Sequence, residues 1–261
     1  MTILDQIINY KHIEVAAKKA AFPISFLEKS LLFSRDTVSL ATKLKEQNAG
    51  IIAEHKRKSP SKSIINDKVL VQDVATGYQN AGVTGMSVLT DTHFFGGSLD
   101  DLLVARSVST FPLLRKEFIV DPYQIYEAKA YGADAILLIA AVLSEKELKE
   151  FSSLAKSLQL DVLLEVHNKE ELKKSLLPNV DMLGVNNRNL KTFEVSIEIS
   201  KELSSLIPDN FVKVSESGIS DVATIKELIP YGYKGFLIGE NFMKTDNPGK
   251  SAAAFIKTLR K

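Results

Sequence analysis

Glu54 and Lys56 stand two residues apart in the run IIAEHK, and polar groups interrupt four further short apolar runs in the same way. These are Lys116 in LLRKEF, Glu165 in VLLEVH, Asn186 in MLGVN with Arg188 just beyond it, and Glu216 in VKVSES. A strand buried on both faces is expected to be nearly continuous in Val, Ile and Leu, because an unpaired charge there costs several kcal/mol or changes its protonation. Any one such Lys or Glu is most simply a strand-end residue already in solvent. Five together argue for one shared site, where ammonium donors facing carboxylates suit general acid–base chemistry.

Short β-type runs recur about every 20 to 35 residues from Gly50 onward, with helical stretches between them, the pattern of successive βα units. Eight begin near Ile51, Met86, Leu113, Ala135, Val162, Met182, Val212 and Gly235. The expected fold is therefore an α/β class (β/α)8 TIM barrel forming one domain, residues 1–261. Residues 1–49 would be an N-terminal helical extension, with starts near Pro23 and Asp36, and 50–261 the barrel. That extension should cover the lower end or flank the mouth. Gly82, Gly132 and Gly232, each just ahead of a strand, are expected as left-handed helix caps. Strand alternation puts Ile52, Glu54 and Lys56 on one face, as it does Leu114, Lys116 and Phe118, and Gly184, Asn186 and Arg188. The polar groups then meet at the C-terminal rim, where barrels of this type build their active sites.

A second signal lies in Ser-Glu-Ser-Gly-Ile at 215–219 and Leu-Ile-Gly-Glu-Asn at 237–241, after the seventh and eighth runs. Barrels often hold phosphate on these two loops, where small residues let backbone N–H groups approach an anion. Ser217, Gly218, Gly239, Glu240 and Asn241 are the candidates, Glu240 through its backbone alone, since its carboxylate would repel the anion. Phe95 and Phe118 are expected as an apolar wall at the mouth, with Leu190 and Leu237 adding to the substrate-binding surface. None of the four histidines has metal-ligand spacing, so no metal is expected, and His167 is taken as a helix-start residue.

With 33 basic and 32 acidic residues the formal charge is +1, without the basic stripe that tracks nucleic acid. The longest apolar run, Ala135 to Leu143, is far below the roughly 20 residues a bilayer requires. A cytoplasmic protein working on a small phosphorylated molecule, as a monomer or weak homodimer, is expected. The chain has no cysteine, which removes disulfides, thiolate nucleophiles and thiolate metal sites.

In order along the chain come EHKRKSPSK at 54–62, LTDTHFF at 89–95, LRKEF at 114–118, Glu165, Asn186-Asn187-Arg188 and Ser215-Glu216-Ser217-Gly218. This series resembles the indole-3-glycerol phosphate synthase family over the whole barrel, and the family also carries a helical extension. The resemblance implies closure of 1-(2-carboxyphenylamino)-1-deoxyribulose 5-phosphate to indole-3-glycerol phosphate, carbon dioxide and water, in tryptophan biosynthesis and without a cofactor. It implies Lys116 as general acid, Glu165 as proton-transfer partner in the dehydration, and Glu54 with Lys56 as a charge pair that orients the substrate. Asn186 and Glu216 would position hydroxyls and the reacting centre. Lys56, Ser61, Ser217, Gly218, Gly239 and Glu240 would surround the phosphate, with Phe95 and Phe118 on the anthranilate ring. Ser63 stands where the family commonly has glycine, and Glu117 where it often has aspartate.

Three rival readings compete. A Schiff-base aldolase would use Lys116 as a nucleophile. The neighbouring isomerase of the pathway would need a cysteine base that is absent here. A phosphate-ligand binding protein would gain little from clustering charges at strand ends. The loop from Arg57 to Asp67 is expected to close over substrate.

Overall fold

The computed structural model describes residues 2–60, 62–190 and 192–261. Eight parallel strands close on themselves in sequence order: β1 (Gly50–His55), β2 (Gly85–Leu89), β3 (Leu113–Lys116), β4 (Ala135–Ile139), β5 (Asp161–Val166), β6 (Met182–Asn186), β7 (Val212–Glu216) and β8 (Tyr233–Ile238). All eight expected strands are present, β8 starting two residues early, and its pairing with β1 closes the barrel. A helix lies between each strand and the next, and Pro248–Leu259 ends the chain against Val71–Ala81. The helices start where polar residues follow the strands. Ser98, Ser144, Asn168 and Asp221 each accept a hydrogen bond from a backbone N–H of the first turn. Gly82, Gly132 and Gly232 take the expected left-handed conformation at φ 78°, 86° and 85°.

Alternation along the strands separates two cores. Ile52, Leu114, Leu137, Leu163, Met182, Val212 and Leu237 fill the barrel interior. Residues one step away, such as Ile51, Ile136, Leu164 and Phe236, pack outward in the core that also takes in the helices. Burying a side chain of this size contributes about 1.5–3 kcal/mol, so the interior alone fixes the strand register firmly.

The extension reaches both ends of this barrel. Helix α1 (Ile3–Ala21) runs past the mouth, and α2 (Ile24–Leu27) docks on the helix Tyr123–Ala130. Helix α3 (Leu40–Lys45) plugs the lower end with Leu40 and Leu44, both fully buried among the interior residues. Room for the plug comes from missing side chains, since a Cβ at Gly85 would come 2.8 Å from Leu40 and one at Gly50 2.5 Å from Leu44. The residue that starts α3 is Ser39, whose hydroxyl accepts from Thr42 N at 3.0 Å, and not Asp36. Asp161 on β5 decides this, because it accepts from Ser39 Oγ and Ala41 N and draws the helix start to itself.

Polar residues within the strands are not confined to the C-terminal rim, as the sequence suggests. Arg115 and Lys213 are buried on the outer face, where Arg115 donates to Gln124 O and Glu127, and Lys213 donates to Ser204 O. Each joins a strand to a flanking helix.

Candidate active site

Barrel register brings the rim residues together. Glu54 pairs across to Ser87, Leu89 to Lys116, Ile139 to Glu165, Glu165 to Gly184, and Asn186 to Glu216. Glu54, Leu89, Lys116, Ile139, Glu165, Asn186 and Glu216 line one pocket of about 180 Å³ at the C-terminal end of the barrel, together with Lys56, Phe95, Phe118, Arg188, Leu190, Ser217, Leu237 and Glu240. Of the sequence candidates, Gly218 and Gly239 lie behind this lining, and Ser61 lies outside the described residues.

Lys116 is the centre. Its ammonium hydrogen-bonds Glu216 Oε2 and stands 3.5 Å from Glu165 Oε2. Burial works against its charge, but Glu216, Glu165 and Glu54 outweigh burial and hold the lysine protonated well above its ordinary value. Glu54 is paired with Lys56 at 2.7 Å and takes a 3.5 Å contact from Ser87 Oγ. Burial would raise its pKa, yet Lys56 and Lys116 bring it below the usual carboxylate range.

The two carboxylates that share Lys116 differ. For Glu165 burial is opposed by Lys116, by His167 and by the Asn186 amide, and the net result is a pKa of about 2. For Glu216 burial prevails over Lys116, with Glu165 and Glu54 adding repulsion, and the pKa rises to about 7. Its Oε1 has no hydrogen-bond partner among the described residues and lies over the bare Cα of Gly184. The site thus holds a firmly charged acid, a firmly ionised acceptor, and a carboxylate poised to gain or lose a proton near neutrality.

One wall is aromatic, with Phe95 and Phe118 at a centroid separation of 5.8 Å and 38° between planes. Asp91 sets the first ring by accepting from Phe94 N and Phe95 N, and Glu117 sets the second by accepting from Phe118 N. The opposite side consists of the turns after β7 and β8. Ser217 and Gly218 are both left-handed, φ 65° and 75°, and Asn187 holds the turn by donating to Ser217 O and Ser215 Oγ. The Asn241 amide donates to Ser220 O and ties the two turns together. Gly239 is glycine because Glu54 occupies the space, a Cβ there falling 2.6 Å from its Oε1. Lys62 pairs with Glu240, so that carboxylate is neutralised beside the turn.

The first βα loop is anchored at several points. Arg57 grips Asp101, Lys58 Nζ donates to His93 O, and the Asn66 amide donates to Met243 O and Thr245 O. Between these anchors Ser59 and Pro60 lie over the pocket.

Several residues of the site escape a reading of the sequence. Ile3, Leu4 and Ile7 of α1 line the mouth, although nothing in their residue types separates them from any other apolar helix positions. Ser87 in β2 is fully buried beside Glu54, yet a serine in an apolar run carries little signal. His167 stands one residue before the cap Asn168, and its ring is buried against Glu165.

A family model described as indole-3-glycerol phosphate synthase matches residues 4–256. The chain belongs to that family. It is 44% identical over 258 residues to the indole-3-glycerol phosphate synthase of Bacteroides thetaiotaomicron, covering 99% of both chains. It is 42% identical to that of Aliarcobacter butzleri, covering 98% of this chain and 99% of the relative. Among solved structures, the thiamine phosphate pyrophosphorylase of Pyrococcus furiosus aligns with a TM-score of 0.60 over 85% of this chain and 98% of that one. At 15% identity this likeness concerns the barrel alone. No helix among the described residues is long and apolar enough to cross a membrane.

Proposed function

We propose that the protein is an indole-3-glycerol phosphate synthase, converting 1-(2-carboxyphenylamino)-1-deoxyribulose 5-phosphate to indole-3-glycerol phosphate, carbon dioxide and water. The observation that carries this reading is a protonated Lys116 held between Glu165 and Glu216 opposite the Phe95–Phe118 wall, in a chain of that family.

In this mechanism the phosphate rests on the backbone of the 217–218 and 239–240 turns, with Lys56 and Ser61 near it. The anthranilate ring packs on Phe95 and Phe118, with Leu190, Leu237 and Arg188 around it. Holding the ring carbon close to the carbonyl removes most of the entropic barrier to closure. Lys116 donates its proton to the carbonyl oxygen as the ring carbon attacks, so the oxygen becomes a hydroxyl and the ring a cation. The carboxyl group leaves as carbon dioxide, its bonding pair restoring aromaticity. Glu165 then takes a proton from the substrate while Lys56 gives one to the hydroxyl, which departs as water; the proton on Glu165 and one from solvent restore the two lysines. Glu54 with Lys56 orients the substrate, and Asn186, Glu216 and Ser217 position its hydroxyls and the reacting carbon. A monomer or weak homodimer in the cytoplasm, working on a small phosphorylated substrate, completes this reading.

The aldolase reading fares poorly on the same geometry. A Schiff-base lysine must be neutral to attack, and three carboxylates hold Lys116 charged. The test is indole fluorescence on adding the carboxyphenylamino substrate to the purified protein, with Lys116→Ala alongside. Signal from the unmodified protein alone supports the synthase and its acid. Silence from both, with a borohydride-trapped adduct at Lys116, sinks it in favour of the aldolase.

A further inference from the structure

His167 takes no part in the mechanism above, yet its ring is held between two carboxylates. Nδ1 hydrogen-bonds Glu171 Oε2 at 3.1 Å, and Nε2 lies 3.3 Å from Glu165 Oε1, within ion-pair reach though not aligned for a hydrogen bond. Only 11% of the side chain is exposed, so this is no surface pairing. The far partner is itself fixed. Glu171 Oε2 accepts from His167 N at 2.8 Å, its Oε1 accepts from Asn168 Nδ2 at 2.8 Å, and its backbone N–H caps onto Asn168 Oδ1.

The result is a row of alternating charge, Glu171, His167, Glu165 and Lys116, running from the start of the helix Lys169–Ser175 to the reacting centre. His167 is absent from the lining of the substrate pocket and opens instead on a second, small cleft beside Lys169 and Glu202. It therefore meets the chemistry only through Glu165.

We propose that His167 is a positioning residue which, clamped by Glu171 in the middle of this row, keeps Glu165 turned toward Lys116. The inference rests on the reading of Glu165 as a proton-transfer group. The groups facing Glu165 are Lys116 from β3, Glu54 from β1, Asn186 from β6 and Glu216 from β7. Those near His167 are Glu165 and Glu171, with Glu170 and the Lys169–Glu202 pair at the cleft. Burial disfavours the imidazolium, but its two carboxylates outweigh burial and raise the ring to about 10. Across 3.3 Å, with both side chains largely buried, that charge acts on Glu165 with less screening than a surface pair would have.

The test has two readouts. In the unmodified protein, nitrogen NMR of the imidazole assigned through His167→Gln is expected to show a ring still protonated at pH 8. A ring titrating near the ordinary 6.5 overturns the proposal. In kinetics, His167→Gln is expected to lower kcat about tenfold, to shift the acidic limb of kcat upward by about one pH unit, and to leave KM nearly unchanged. Glu171→Gln, which spares the ring, is expected to lower the His167 titration and to reduce kcat by a smaller factor. Should His167→Gln fail to fold, Glu171→Gln and the NMR titration decide. An unmoved acidic limb in these variants, beside a Glu165→Gln protein that has lost activity, overturns the clamp alone. An active Glu165→Gln would overturn the reading beneath it as well.

Discussion

Gly184 lies directly beneath the carboxylate of Glu216: a Cβ on Gly184 would overlap Glu216 Oε1. Leu163 stands 3.1 Å from the same point on the other side, so it is the carboxylate that has to turn away. Gly184→Ala is therefore expected to displace Glu216 from Lys116 without touching substrate. Steady-state kinetics should show kcat reduced by at least about tenfold, and a urea melt a stability loss of about 1–3 kcal/mol from overpacking. Full activity in this variant would mean that the placement of Glu216 is unimportant.

The raised pKa of Glu216 has a consequence for stability. Burial holds it at about 7, above the ordinary 4.5, so the folded protein binds this proton more tightly than the unfolded chain. The resulting stabilisation is complete below about 4.5 and is lost as pH rises through about 7. Glutamine cannot ionise, so the Tm of Glu216→Gln should fall less than that of the unmodified protein between pH 5 and pH 8. Each kcal/mol of difference corresponds to about 2–4 °C. Parallel Tm curves would show that Glu216 does not titrate in that window.

Lys11 of α1 is buried at 1% exposure and pairs with Asp91 at 2.9 Å, Glu117 at 3.1 Å and Glu14 at 2.7 Å. Asp91 and Glu117 are the residues that fix Phe95 and Phe118, so one ammonium joins the extension to the aromatic wall. Lys11→Met takes the nearer cation from buried Asp91 and Glu117, leaving Glu117 with Arg115 at 3.7 Å, and should cost about 3–5 kcal/mol by urea melt. KM should rise more than kcat falls, because Ile3, Leu4 and Ile7 lose their place on the mouth.

Gly218 is left-handed at φ 75°, and a Cβ there would stand 2.6 Å from Val195. Gly218→Ala should distort the turn proposed for phosphate, raising KM and weakening inhibition by inorganic phosphate while kcat changes little. An unchanged inhibition constant for phosphate would place the anion elsewhere.

The strands were legible because a parallel barrel buries both faces, and AILLIA or MLGVN leaves little else to build. The rim was legible for the converse reason, since Lys116 and Glu165 stand out against such runs. Residues whose meaning depends on what docks against them were hidden. Lys11 sits in a helix with many charges and reads as solvated until Asp91 and Glu117 arrive from other loops. Arg115 and Lys213 stand inside two of the strands and were passed over, because their partners are helix groups that only the fold brings up to them. Gly184 carries no signal at all, because its role is a volume that another side chain fills.

The plug formed by Leu40 and Leu44 makes the barrel a vessel with one opening. On the proposed reaction, carbon dioxide, water and the indole product must all leave by the route the substrate took in, between α1 and the first βα loop. The product that keeps the phosphate keeps its anchor and would be last out. Turnover in such a vessel depends on how readily its rim lets go as well as on the chemistry at Lys116.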